Sequence, residues 1–237
     1  MTRRKKIHRV FQALLAFAVC LAIFAFPLKN TENVATIAEE KNAASQDLQI
    51  LVDLDDTMLY LFDGNQLLCS FRCAVGKEET HSPLGTFRIT RKARWGKGFG
   101  GFWMGLDVPW GTYGIHGTLT PSSIGLHASH GCIRLATRDA ETLYGLIETG
   151  TPVVISEGEF GPFGSSLSNL EYETSGSGVY AVQKRLKELG YYTKNPDGVF
   201  GKATLAAFHR FQRDQGIPET EYISVWHLNL LGFFPFE

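Results

Sequence analysis

The spacing of hydrophobic residues changes along the chain, and the change falls near residues 157–178. Before this point, short apolar runs alternate with turn residues, a pattern that predicts strands. The runs are QILVD (49–53), TMLYLF (57–62), LLCSFRCAV (67–75), TFRIT (86–90), FWMGL (102–106) and TPVVIS (151–156). After it, apolar residues recur at the spacing of a helix. The chain is therefore expected to form two separate domains, one mostly β and one all-α.

The first domain is predicted to span residues 47–156. The turn residues 63–65 (Asp-Gly-Asn) predict a hairpin between the second and third strands. One helix is predicted after residue 137, ending near Gly150, and it carries apolar residues at helical spacing: Ala140, Leu143, Tyr144 and Ile147. The expected architecture is mostly β with a single helix.

The second domain is predicted to be a small three-helix module over residues 176–232. Two helices end near Gly190 and Gly216, and Ser224 is a candidate cap for a short third helix. Between the domains, residues 157–178 hold five Gly, five Ser and one Pro with little periodicity. This composition is typical of flexible connections, so residues 157–175 are predicted to be a linker.

Residues 1–28 have the composition of a membrane-targeting segment. Five basic residues lie within the first nine positions, and an apolar run over residues 10–28 follows, with Gln12 as its one clearly polar member. About 20 such residues span a bilayer, and basic residues before the run keep the N-terminus cytoplasmic. We expect a single-pass anchor that places the body outside the cytoplasm, with residues 29–46 as a linker. A cleaved signal peptide is the alternative, although no good A-x-A site precedes Pro27.

The charge distribution argues against nucleic acid as a partner. The formal net charge is −1, but six of the 23 Lys and Arg lie within the first 29 residues. The remaining 17 face 24 Asp and Glu, so the body carries a net charge of −7. An acidic body does not attract a phosphate backbone.

Three cysteines lie in the body, where an extracytoplasmic location would favour oxidation. If Cys69 and Cys73 share one strand, their Cα atoms are about 13 Å apart, and a disulfide requires less than about 7 Å. Both are therefore predicted to be small core residues. Cys132 differs because its neighbours are polar residues and glycines.

Cys132 belongs to the stretch YGIHGTLTPSSIGLHASHGCIRL, residues 113–135, which also holds three histidines and four glycines. Gly and Pro disfavour a helix, and the stretch is polar for a buried strand. It is therefore predicted to be a loop held against the scaffold, where reactive groups usually lie.

The residue types in this stretch suit nucleophilic catalysis. A thiolate from Cys132 is a strong nucleophile, and His116 can accept the thiol proton. Gly131 allows backbone N–H groups to face a developing oxyanion, and the carbonyl of Gly117 could fix the tautomer of the imidazole. Arg134 could hold a substrate carboxylate or brace the loop.

Two other interpretations stay open at this point. His116, His127, His130 and Cys132 could be four zinc ligands, although the stretch has no tight pair such as H-x-x-x-H or C-x-x-C. Alternatively, Cys132 could be an inert core thiol, against which its polar, glycine-rich surroundings argue.

Several spaced motifs resemble the signature of YkuD-type L,D-transpeptidases. These are IHGT (115–118), SIG (123–125) and SHGCIR (129–134), with SPLGTF (82–87) upstream and GTPVVI (150–155) downstream. Ser82 stands where the family usually has Thr. The helical module separately resembles three-helix peptidoglycan-binding domains through AVQKRLKELGYY (181–192), DGVFGKAT (197–204) and the residues Phe208, Phe211 and Gln212.

The resemblance implies a β-sandwich and a two-step acyl transfer without metal or cofactor. Cys132 would be the nucleophile, His116 the proton donor and acceptor, and the Gly117 carbonyl would orient His116. The oxyanion and substrate-binding groups would come from Ser129, His130, Gly131 and Arg134.

The implied substrate is the bacterial cell wall, with peptidoglycan stem peptides and glycan as partners. The enzyme would release the terminal D-Ala of one stem and make 3→3 cross-links at the outer face of the membrane. Carbapenem-type β-lactams would inhibit it because they imitate the acyl donor. Three alternatives remain: an L,D-carboxypeptidase that uses water as acceptor, a zinc-dependent hydrolase, and a non-catalytic scaffold bound to the wall.

Overall fold

The computed structural model describes residues 47–96 and 100–235. The predicted membrane segment at 10–28 and the linker at 29–46 lie outside these residues and stay predictions. Within the described ranges, no helix is both long and apolar enough to cross a membrane.

The first domain is mostly β, as the spacing of apolar residues predicts. Its one α-helix in the described ranges is α1, Thr137–Leu146. The strands are β1 Leu48–Asp53, β2 Met58–Asp63, β3 Gln66–Gly76, β4 Gly85–Ala93, β5 Trp103–Leu106, β6 Gly114–Thr118, β7 His127–Ser129, β8 Ile133–Ala136 and β9 Pro152–Ser156.

The strands form one continuous sheet in the order β2-β1-β9-β4-β5-β6-β8-β3-β7, and β2 also pairs with β3. The hydrogen bonding therefore closes on itself, because the two sheets β3-β2-β1-β9-β4 and β4-β5-β6-β8-β3 share β3 and β4. The physical reason is the length of β3, whose 11 residues pair first with β2 and then with β8 and β7. The apolar faces of the strands enclose one core, which α1 also contacts.

The hairpin predicted at residues 63–65 is confirmed, since β2 and β3 are antiparallel around a turn in which Gly64 has a φ of +53°. Cys69 and Cys73 both lie on β3 and form no disulfide. Cys73 is completely buried in the core. Burial raises the pKa of Cys69 to about 11 and that of Cys73 to about 12, so both thiols are protonated at neutral pH.

The prediction of a loop over residues 113–135 is wrong in part, because the stretch contains β6, β7 and β8. All five residues of β6 are buried, and its backbone groups pair with β5 on one side and β8 on the other. Glycines make this close packing possible. A Cβ atom at Gly114 would come within 2.7 Å of the Trp103 ring, and one at Gly117 within 2.8 Å of the Gly100 carbonyl.

The second domain has the three predicted helices, α2 Ser177–Glu188, α3 Lys202–Asp214 and α4 Val225–Leu230. They enclose a separate apolar core. Ser224 caps α4, as predicted, by accepting a hydrogen bond from the backbone N–H of His227.

Residues 157–175, predicted to be a linker, contact both domains. The N–H of Gly158 donates to the Asp55 carboxylate over 3.0 Å. Leu170 forms a β-bridge with Ile223, and apolar side chains of this segment pack on the core of the helical module. Glycines and serines allow the turns, but the apolar residues between them are numerous enough to anchor the segment.

Candidate active site

The parallel pairing of β6 with β8 positions the two residues predicted to react. In its register Ile115 faces Ile133 and His116 faces Arg134. Gly114 therefore lies opposite Cys132, and its backbone N–H hydrogen-bonds the thiol. His116 and Cys132, which are 16 positions apart in the sequence, are brought to neighbouring strands.

His116 is held in one tautomer by its own strand. Its side chain is buried, and Nδ1 lies 2.6 Å from the carbonyl oxygen of Gly117. Because a carbonyl oxygen can only accept, Nδ1 carries the proton and Nε2 keeps a lone pair in the neutral ring. Burial lowers the pKa of His116 below its ordinary value, and the charge of Arg134 lowers it further, against the opposing effect of Gly117. The ring is therefore neutral at pH 7 and able to accept a proton.

Cys132 is a protonated thiol at rest. Burial raises its pKa, while the hydrogen bond from Gly114 and the charge of Arg134 act in the opposite direction. Since the thiol does not ionise readily by itself, thiolate formation requires a base. The site thus holds a neutral thiol beside a neutral imidazole.

Arg134 contributes charge and also braces the loop. It lies opposite His116 on β8, and its guanidinium donates to the backbone carbonyl of Ala128 over 3.4 Å. Its positive charge lowers the pKa of both His116 and Cys132. The bracing contact predicted for this residue is therefore present, with an electrostatic effect in addition.

The residues before the nucleophile form a tight turn. The fully buried Ser129 accepts a 2.9 Å hydrogen bond at Oγ from the N–H of Gly131. The Gly131 N–H, one of the predicted oxyanion donors, is thus hydrogen-bonded to a buried hydroxyl in this structure, and its use as an oxyanion donor stays a prediction. Gly131 has a φ of +105°, and a Cβ atom there would come within 2.6 Å of the Tyr113 ring.

The four residues of the zinc alternative are not gathered into a site. The side chains of His127 and His130 are exposed, whereas His116 is buried. In residues 47–96 and 100–235, no group of three or more His, Cys, Asp or Glu could hold a metal ion.

The sequence analysis did not identify the contact of Trp103 with His116. The two rings stack with centroids 5.7 Å apart and planes inclined by 26°. Cross-strand pairing puts Trp103 opposite His116 and Gly105 opposite Gly114, and the indole lies against both glycines. Glycines at this spacing beside a tryptophan are the signal that could have predicted the stack.

Comparison with known proteins gives two family matches. Residues 47–155 match the L,D-transpeptidase catalytic domain, and residues 175–221 match a putative peptidoglycan-binding domain.

Two Bacillus proteins, both called putative L,D-transpeptidase YkuD, are similar to the first domain. The one from Bacillus licheniformis is 40% identical over 109 residues, which is 46% of this chain. The one from Bacillus subtilis is 38% identical over 108 residues, which is 45% of this chain. The match spans 65% of the length of each relative. A crystal structure of an Enterococcus faecium L,D-transpeptidase mutant is 26% identical, with 46% of this chain and 50% of that chain covered and a TM-score of 0.42.

We predict that Arg134→Gln moves the alkylation of Cys132 to higher pH. Removing the positive charge removes an effect that lowers the pKa of the thiol, so thiolate forms at higher pH than in the wild type. The measurement is the rate of iodoacetamide labelling against pH, read by peptide mass mapping that separates Cys132 from Cys69 and Cys73.

Arg138→Gln is the matched control, because Arg138 is exposed on α1 and has no resolved effect on either reactive group. Identical midpoints for Arg134→Gln and the wild type would contradict the electrostatic role.

Proposed function

Because residues 47–155 match the L,D-transpeptidase catalytic domain, we propose that this protein forms 3→3 cross-links between peptidoglycan stem peptides through a thioester on Cys132. The observation that carries the proposal is the neutral, half-buried thiol of Cys132 directly before β8, next to the neutral, buried imidazole of His116 on β6. The fixed Nδ1–H of His116 leaves Nε2 as the basic atom.

In the first step, Nε2 of His116 takes the thiol proton while the sulfur of Cys132 attacks the carbonyl carbon of the third stem residue. The resulting tetrahedral oxyanion collapses, the C–N bond to the terminal D-Ala breaks, and His116 gives its proton to the leaving amine. The Gly117 carbonyl keeps the ring oriented and stabilises its charged form. The product is a thioester and free D-Ala.

In the second step, an amine of another stem attacks the thioester carbonyl, and His116 accepts the amine proton. The C–S bond breaks, and the thiolate recovers the proton from His116. The new amide joins two third residues, so the electron pairs and protons balance over the cycle.

A neutral pair suits this chemistry because charge then develops only along the reaction path. Two buried charges would cost several kcal/mol each in the resting enzyme. The cation of Arg134 favours negative charge on Cys132, and preorganised charge of this kind stabilises the transition state more than the ground state. We assign the remaining oxyanion donors to the backbone around His130 and Cys132.

The helical module is proposed to bind the wall polymer, on the strength of the match over residues 175–221. Attachment of a second binding unit raises the local concentration of the first at the polymer. The module would thus keep the catalytic domain at the glycan and its stems.

The N-terminal composition supports a location at the outer face of the bacterial cell membrane. The basic residues and the apolar run at 10–28 would anchor the chain once, with its N-terminus in the cytoplasm. This location puts the active site beside the wall substrate.

We predict that Cys132→Ala abolishes release of D-Ala from a soluble tetrapeptide donor, because no other group can form the thioester. A carbapenem should add one covalent mass to the wild type and none to this variant, since its strained amide imitates the acyl donor. Intact-protein mass spectrometry measures the adduct. Cys69→Ala, a change at a thiol outside the site, should retain both activities, and turnover by Cys132→Ala would exclude the thioester mechanism.

A second prediction concerns the acceptor. With a purified disaccharide-tetrapeptide as both donor and acceptor, we expect a cross-linked dimer that has lost one D-Ala. Mass analysis of the products measures this. Formation of the tripeptide alone would show that water is the acceptor, which would make the protein an L,D-carboxypeptidase.

A third prediction concerns location. We expect the full-length protein to stay in the membrane fraction after alkaline extraction, because a spanning helix resists this treatment. A variant with Leu14 and Leu15 changed to Arg should be released or fail to insert, since charges within the apolar run oppose insertion. Recovery of a shortened wild-type chain, beginning after residue 28, would instead show cleavage.

A further inference from the structure

The helical module is docked against the wall of the active-site domain through Trp110. This residue lies in the loop between β5 and β6. Its ring contacts Phe87 of β4 edge-on at 5.9 Å and Tyr180 of α2 at 5.3 Å. Gly198 of the module lies flat on the indole, and a Cβ atom there would come within 2.4 Å of the ring. Trp110 therefore fills the space between the two domains.

A partly buried hydrogen bond accompanies this aromatic contact. Ser177, the first residue of α2, accepts at Oγ from the backbone N–H of Leu84 over 2.8 Å. Leu84 is buried and comes directly before β4. Two independent contacts thus attach α2 to the same end of the active-site domain.

The docked face of the module is rigid because Gln183 holds the loop that carries Gly198. Oε1 of this completely buried side chain accepts from the N–H groups of Asp197 and Gly198 over 2.8 and 2.7 Å. Its Nε2 donates to the Asp197 carboxylate over 2.7 Å. The positions of Gly198 and Tyr180 are thereby linked through one helix.

From Trp110 the contacts continue to the turn before the nucleophile. The indole N–H of Trp110 hydrogen-bonds the hydroxyl of Tyr113. The Tyr113 ring lies against Gly131, so closely that a Cβ atom there would be 2.6 Å from the ring. Gly131 is the residue before Cys132, and its N–H is already bound to Ser129.

A second set of contacts also reaches Gly131. Glu157, the first residue after β9, forms an ion pair with His81 at 2.9 Å. The carbonyl of His81 faces Gly131, 3.1 Å from where a Cβ atom would lie. Gly131 is therefore in contact with both Tyr113 and His81, and each of them is held by a group at the domain interface or in the connecting segment.

We propose that the docked helical module positions the nucleophile, with Trp110 and Tyr113 as positioning residues that act on Cys132 through Gly131. This inference rests on the acyl transfer proposed above. A positioning role for the module differs from a tethering role in one respect. A tethered module affects binding to the wall polymer alone, whereas a docked module also affects the reaction of a small soluble donor.

The test uses Tyr180→Ala in the full-length chain, because this change removes the module's half of the aromatic contact and leaves the catalytic domain unaltered. Alanine is a good helix former, so α2 should persist. Small displacements of a reacting group cost up to about a hundredfold in rate. We expect kcat for a soluble tetrapeptide to fall on the order of tenfold with KM little changed, and carbapenem acylation of Cys132 to slow in parallel.

The matched control is Tyr222→Ala, an exposed tyrosine of the same module without a contact at this interface. It should keep the wild-type kcat. Ser177→Ala removes the other docking contact and should also lower kcat. If circular dichroism shows that Tyr180→Ala unfolds the module, the kcat of Ser177→Ala tests the positioning role instead.

Wild-type kcat and acylation rate in folded Tyr180→Ala and Ser177→Ala would overturn the positioning role and leave the proposed acyl transfer intact. A wild-type protein that forms no acyl-enzyme at all would overturn the proposed function, and this inference with it.

Discussion

Parallel pairing between β6 and β8 is the constraint on which the active site depends. The register places Gly114 beside Cys132 and His116 beside Arg134, so one set of backbone hydrogen bonds positions the thiol, the imidazole and the nearby cation. Strand β6 can occupy the centre of the sheet because its glycines admit the Trp103 ring and the backbone of Gly100. Without these glycines, the imidazole would have neither its stacking partner nor its buried position.

Burial then determines the electrostatics of the pair. It lowers the pKa of His116 and raises that of Cys132, so both groups are uncharged in the resting protein. The same burial would make an isolated thiol inert, as the pKa values of Cys69 and Cys73 illustrate. What distinguishes Cys132 is its hydrogen bond from Gly114, the charge of Arg134, and a neutral imidazole on the adjacent strand.

The segment that connects the domains, residues 157–175, also forms contacts with each of them. Glycines and serines in residues 157–175 suggest a flexible chain, but Glu157 binds His81 and Leu170 pairs with the helical module. The module contacts the β domain at Trp110, and Trp110 is linked through Tyr113 to the turn that carries Cys132. The β domain and the helical module can therefore share one rigid frame.

The sequence by itself determined the features that depend on local spacing. Alternating apolar runs, the turn at Gly64, the helical spacing after residue 137 and the serine cap of α4 all follow from interactions between residues a few positions apart. The identity of Cys132 and His116 as the candidate pair followed from their polar, glycine-rich surroundings. Tertiary structure alone decided that β6 is a buried strand and that Trp103 stacks on His116. It also decided that the helical module docks on Trp110. Each of these features depends on contacts between residues distant in sequence. The free energy of such contacts comes from packing and from satisfying buried polar groups. No local pattern in the sequence encodes these contacts.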